Sequence, residues 1–214
     1  MQSTLVSYEH PPLPLALDDP STLEMLLQPR LSLFWGAETP TRALLAALTL
    51  MAAGGRRVRV FDGGNRFDGY FIARLARRLS SNPHATLERV RLSRAFTCFQ
   101  LAQLIENAPA AGGVPDDSGP ASPQAPDVLF VLDLLSTFYD ESVPLRDSER
   151  LLAKTITHLK RLAAGGAVIV GAREPRVLVK ERWSLLDQLQ IAADAAWLLR
   201  SPEATSQEQL RLFG

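Results

Sequence analysis

From residue 31 onward the chain alternates short, nearly unbroken apolar runs with stretches whose apolar residues recur every three or four positions. Strands buried on both faces read as continuous apolar runs, and helical periodicity between them marks the crossovers of a parallel sheet. The pattern predicts an α/β domain, a mainly parallel sheet flanked by helices. Strands are expected at 31–35, 57–61, 87–92, 127–133, 167–170 and 194–200, with 209–213 as a final hairpin partner. Helices are expected at 41–53, apolar nearly all round and stopped by Gly54-Gly55, and at 67–79, 96–107, 148–163 and 183–190. The 67–79 helix is amphipathic, with Phe67, Phe71, Leu75 and Leu79 on one face and Arg74, Arg77 and Arg78 off it. Phe67, Tyr70 and Phe71 are assigned to the core, because large aromatic side chains are mostly buried.

Two regions break the pattern. Residues 1–30 hold Pro11, Pro12 and Pro14, then Leu23, Leu26 and Leu27 at helical spacing, which reads as an extended N-terminal arm followed by a helical turn or two. Such an arm packs on the core or on a neighbour. Within the core domain, 31–214, the segment at about 108–126 consists largely of Pro, Gly, Ser, Ala and Asp, too small and polar to pack, and is read as a mobile loop.

Composition adds mainly exclusions. With 214 residues and 46% hydrophobic content the chain fits one folded domain. Its 23 basic and 23 acidic residues give no global attraction to nucleic acid, so any such contact must come from a local patch. The single Cys98 excludes an internal disulfide, and neither a signal peptide nor a bilayer-spanning run is evident, so a soluble cytoplasmic protein without a membrane partner is expected. His10, His84 and His158 lack metal-ligand spacing and are assigned to the surface, and no metal site is expected.

The candidate chemistry begins after the first strand, at Gly36-Ala37-Glu38-Thr39-Pro40-Thr41-Arg42-Ala43. A phosphate-binding loop reads G-x-x-x-x-G-K-[ST]: glycines let backbone N–H groups curl round the phosphates, lysine reaches the terminal phosphates, and the hydroxyl holds magnesium. Here Gly36 stands alone, Thr41 replaces the second glycine, Arg42 replaces the lysine, and Ala43 offers no oxygen. Arg42 retains a guanidinium that can bind phosphate bidentately. Asp127 and Asp133 bracket five apolar residues, the form of a Walker B strand whose terminal carboxylate orients a magnesium shell.

These elements, taken in order, resemble the RecA superfamily, particularly the RadA and eukaryotic recombinase branch and its paralogues. The strongest local string is Arg94-Ala95-Phe96-Thr97-Cys98-Phe99-Gln100, similar to the family's Arg-Ala-Phe-x-x-x-x-Gln but one residue shorter. Residues 57–64 stand where the family has a strand ending in Asp-Thr-Glu-Gly, 127–133 where it has the Walker B strand, 167–171 where it has the strand before its second DNA-binding loop, and 193–200 where the core ends. The resemblance spans about 30–214 and implies a RecA-like P-loop NTPase fold. It also implies a nucleotide site at Gly36, Thr41, Arg42, Asp62 and Asp133. The departures imply a pseudo-ATPase: the family's catalytic glutamate would fall near Gly64, so no catalytic residue is assigned, hydrolysis is not expected, and ATP with magnesium is the one cofactor left to consider.

In such proteins the loops after the Walker B strand and the next strand touch single-stranded DNA. The second corresponds to 172–183, where Arg173, Arg176, Lys180, Arg182 and Trp183 combine a phosphate track with a stacking platform, diluted by Glu174 and Glu181. The first corresponds to 136–141, which is acidic. A further basic concentration includes Arg89 and Arg91, which alternate with Val90 and Leu92 and are expected to share one face of a strand at or near a sheet edge. The reading that follows is a RecA-like paralogue without ATP hydrolysis. It would serve as a structural or accessory subunit in DNA repair or recombination, assembling with itself, with a RecA-type recombinase or other repair protein, or with single-stranded DNA. Two alternatives stand beside it: an atypical NTPase completed by a partner subunit, and a regulatory protein-interaction module on the same fold.

Overall fold

The computed structural model describes residues 20–37, 40–109 and 128–199. In chain order the elements are α1 (Pro20–Leu26), β1 (Leu31–Gly36), α2 (Thr41–Ala53), β2 (Val58–Asp62), α3 (Gly69–Leu79), α4 (Pro83–Glu88), β3 (Val90–Arg94), α5 (Cys98–Glu106), β4 (Val128–Leu132), α6 (Leu145–Ala163), β5 (Val168–Arg173), α7 (Trp183–Ala192) and β6 (Ala195–Leu198). Short 3-10 turns occupy Leu134–Ser136 and Val177–Arg182.

The six strands form one sheet in the order β3-β2-β4-β5-β1-β6, and every pairing is parallel. From β1 the chain crosses over β5 and β4 to reach β2 and then steps outward to β3. It then reverses direction and runs through β4 and β5 to β6. Right-handed crossovers in opposite directions put helices on opposite faces. Accordingly, α2 and Ile72 of α3 pack with Phe34, Val60, Phe130 and Ile169 on one side, while α5, α6 and α7 pack with Leu33, Phe61, Val131 and Val170 on the other. The inner strands thus feed alternate residues to two cores, which is why β4 is buried at all five positions.

Several boundaries depart from the sequence expectation. The strand expected at 87–92 is β3 at Val90–Arg94, preceded by a helix that periodicity did not register: Pro83 opens α4 and the Asn82 side chain accepts from Ala85 N at 3.1 Å. On α3 the buried residues are Ile72 and Ala76, Phe67 and Phe71 are half-buried, and Tyr70 is 87% exposed. Its assignment to the core is corrected: Tyr70 lies in the first turn of α3, off the face that buries Ile72 and Ala76. Arg89 and Arg91 also do not share a face, since Arg89 lies before the strand and its guanidinium donates to Ala52 O. Ala108, expected in a mobile loop, is buried against α5. Residues 209–213, most of the N-terminal arm and 110–127 lie outside the described residues.

Candidate functional site

In an open parallel sheet the crevice for a ligand forms at the carboxyl ends of adjacent strands whose connections leave in opposite directions. Here β2 leaves toward β3 while its neighbour β4 leaves toward β5. Between their ends stand the two strand-terminal aspartates.

Asp62 is fully buried at the end of β2. Its Oδ1 accepts from Arg66 N at 2.8 Å and its Oδ2 from Phe67 N at 3.0 Å, with Arg94 Nε 3.5 Å from the same oxygen. The carboxylate therefore folds the Gly63-Gly64-Asn65 turn back on itself, with Asn65 at a positive φ of 53° that an asparagine tolerates. Its lone pairs are committed to the backbone.

Asp133 follows β4 in the left-handed region, φ and ψ both 53°, and its carbonyl accepts Ser136 N to begin the 3-10 turn. Its carboxylate is fully buried, with Oδ2 3.2 Å from Arg66 Nε and 3.7 Å from Arg173 Nε. Arg173 also donates to Ser136 Oγ at 3.0 Å, and the Tyr139 hydroxyl donates to the Arg173 carbonyl at 2.8 Å. Burial first, and Asp133 second, raise the Tyr139 phenol above its ordinary pKa. Oδ1 of Asp133 has no hydrogen-bond partner among the described residues. A buried carboxylate needs compensating charge, and here two guanidiniums supply it.

Gly64 lies directly against this carboxylate: a Cβ there would stand 2.5 Å from Oδ2 and 2.6 Å from the Asp133 Cβ. At Gly63 a Cβ would meet Leu101 Cδ2 at 2.7 Å. The turn that carries no glutamate has no room for one.

Gly36 ends β1, is buried, pairs in register with Arg173, and its carbonyl accepts Glu174 N at 2.8 Å. Gly36, Asp62 and Asp133 thus converge on one rim of the sheet through Arg66 and Arg173. Thr41 is half-buried at the start of α2 and Arg42 is exposed in its first turn, while residues 38 and 39 lie outside the described residues. The residues present do not fit Mg-ATP in the manner of a working loop. Ala43 lacks the hydroxyl, Asp133 already faces two arginines, and a side chain at Gly64 would collide with Asp133. Among the described residues, no group of three or more His, Cys, Asp or Glu could hold a metal ion.

The DNA-binding candidates separate. Arg173 turns inward to Asp133. Arg182 is 5% exposed and donates to Phe138 O and Val143 O, each at 2.6 Å, and to Ser148 Oγ at 3.2 Å, so it ties the segment after β4 to α6 and is removed from any phosphate track. Arg176 and Lys180 are exposed, and Trp183 is 36% exposed at the start of α7. Sequence reasoning missed Arg66, Ser136 and Tyr139. The available signal was the spacing of Asp62 and Arg66 around two glycines, since a short turn returns the fourth residue to the strand end.

No protein-family model matches this chain, and no curated protein matches it. Among the described residues no helix is long and apolar enough to cross a membrane.

Proposed function

We propose that this protein is a RecA-like subunit that does not hydrolyse ATP and acts through assembly, as a structural or accessory component of DNA repair or recombination. The observation that carries the first part is the closure of the Asp133 carboxylate by Arg66 and Arg173, with Gly64 seated against it. Fixed guanidiniums supply the positive charge that a divalent cation supplies in an active phosphoryl-transfer site, and without a general base or hydroxyl ligand the barrier to transfer is not lowered. The repair and recombination setting rests on the resemblance of the strings at 57–64, 94–100 and 127–133.

Isothermal titration with ATP and magnesium, combined with a phosphate-release assay, tests this. The expected result is no magnesium-dependent binding and no turnover above buffer. Turnover abolished by Asp133→Asn would overturn it in favour of an NTPase completed by a partner, the reading favoured by the unpartnered Oδ1 of Asp133. Single-stranded DNA binding on the 172–183 segment is tested with Arg176→Ala, Lys180→Ala and Trp183→Ala together. Arg173 and Arg182 are left intact because their side chains hold the fold.

A further inference from the structure

Charge is not spread evenly along this neutral chain. Of its 23 basic residues ten, all arginine, lie between positions 56 and 100, together with only three acids, Asp62, Asp68 and Glu88. That stretch builds the β2–β3 side of the sheet, and β3 is its edge among the described residues. The remaining sequence is correspondingly acidic.

The outward side of β3 can be read from its ladder. Val58 N donates to Arg89 O at 2.8 Å and Ala95 N donates to Asp62 O at 3.0 Å, so residues 89, 91, 93 and 95 turn their main-chain groups toward β2. In a parallel strand the N–H and C=O of one residue point to the same side, and neighbouring residues alternate. The N–H and C=O groups of Val90, Leu92 and Arg94 therefore face away from the sheet, and among the described residues no strand pairs with them. Beside this edge runs an open groove of about 610 Å³, lined by Arg59, Arg91, Arg94, Phe96, Gln100 and Gln103, and among the described residues none of its lining is acidic. Phe96 is 76% exposed and Leu92 37%.

We infer that the β3 edge is a docking site for an extended polypeptide segment with alternating acidic and apolar residues, which adds to the sheet as a further strand. The main-chain groups of Val90, Leu92 and Arg94 supply the ladder. Residues of the incoming strand on the α5 face neighbour Arg91, with Arg59 one strand further in, while those on the opposite face meet Val90 and Leu92, so the pleat itself demands the alternation. Arginine on an edge also discourages indiscriminate pairing. It leaves acidic strands as the ones the edge accepts. The inference rests on the assembly reading above, but its test does not involve nucleotide, so each can fail alone.

The test is fluorescence anisotropy of a labelled peptide of alternating Glu and Val, titrated with the full chain. Binding is expected to saturate and to weaken with salt. Two further peptides carry N-methyl groups on either all Glu or all Val backbone nitrogens. One of the two is expected to bind about tenfold more weakly, because only one set of N–H groups faces β3. In the protein, Leu92→Pro removes an outward N–H that the β2 ladder does not use, and proline is tolerated at such edge positions. It is expected to weaken binding about tenfold, whereas Leu92→Thr, which keeps the donor, stays within about threefold. Absence of saturable binding overturns the inference, as do two methylated peptides that both bind like the parent. Preferential binding of oligo-dT that survives Leu92→Pro would identify a polyanion surface instead, and a concentration-dependent dimer lost in Leu92→Pro would identify a second copy as the occupant.

Discussion

Gly64 and Asp133 are packed so closely that a Cβ on the glycine would stand 2.5 Å from the aspartate's Oδ2. The missing side chain on the β2 turn and the inward aspartate after β4 are one structural fact. A close-packed interior resists added volume, so Gly64→Ala is expected to destabilise the fold by about 1–3 kcal/mol. Urea denaturation measures this, and wild-type stability in Gly64→Ala would show that the turn can move away from Asp133.

Arg66 and Arg173 share Asp133, and each is partly exposed. Either guanidinium alone keeps the carboxylate partnered, so Arg66→Ala and Arg173→Ala are each expected to cost about 1 kcal/mol. The double variant leaves a buried charge unpaired and is expected to cost about 3–5 kcal/mol. A double-mutant cycle by denaturant unfolding reads the coupling directly. Simple additivity would mean that Asp133 is solvated when the arginines leave.

Arg182 separates structure from binding. Its guanidinium satisfies the carbonyls of Phe138 and Val143, which Arg182→Ala would leave bare, for an expected loss of about 2–4 kcal/mol. Arg176→Ala and Lys180→Ala, both on the surface, are expected to stay within about 0.5 kcal/mol of wild type. Thermal unfolding of the three variants side by side checks the contrast.

Tyr139 gives a signature in alkali. Its phenol is raised above the ordinary value of about 10 by burial, so between that value and its folded value the unfolded chain releases a proton that the folded chain keeps. The stability it contributes is complete below pH of about 10 and is lost as pH rises beyond it. Tyr139→Phe, which lacks both the proton and the hydrogen bond to Arg173 O, is expected to be about 1 kcal/mol less stable at neutral pH. It should lose less on going above pH 10. Parallel alkaline denaturation curves for the two proteins would contradict this.

Element order was legible because its signals are local. The apolar run before Asp133 and the all-round apolar helix from Thr41 to Ala53 appear as strand and helix where periodicity put them. The helix at Pro83–Glu88 was hidden because six residues hold too few turns for periodicity to register, although Asn82 and Pro83 mark its start. Arg173 and Arg182, alike in sequence as basic residues beside the same loop, differ because one reaches an aspartate at the neighbouring strand end and the other enters the gap between α6 and the turn after β4.

The sequence by itself determined the alternation of strands and helices, the burial of both sheet faces and the string from Gly36 to Ala43, with arginine at 42 and no hydroxyl at 43, since spacings of two to four residues and a short string carry all of these. Only the tertiary structure decided that Arg66 and Arg173 close over Asp133, that Gly64 is seated against the same carboxylate and that β3 is an edge among the described residues. Those contacts depend on the strand order β3-β2-β4-β5-β1-β6, which brings Arg66 and Arg173, 107 positions apart in sequence, to the same carboxylate. No local periodicity specifies which strands become neighbours.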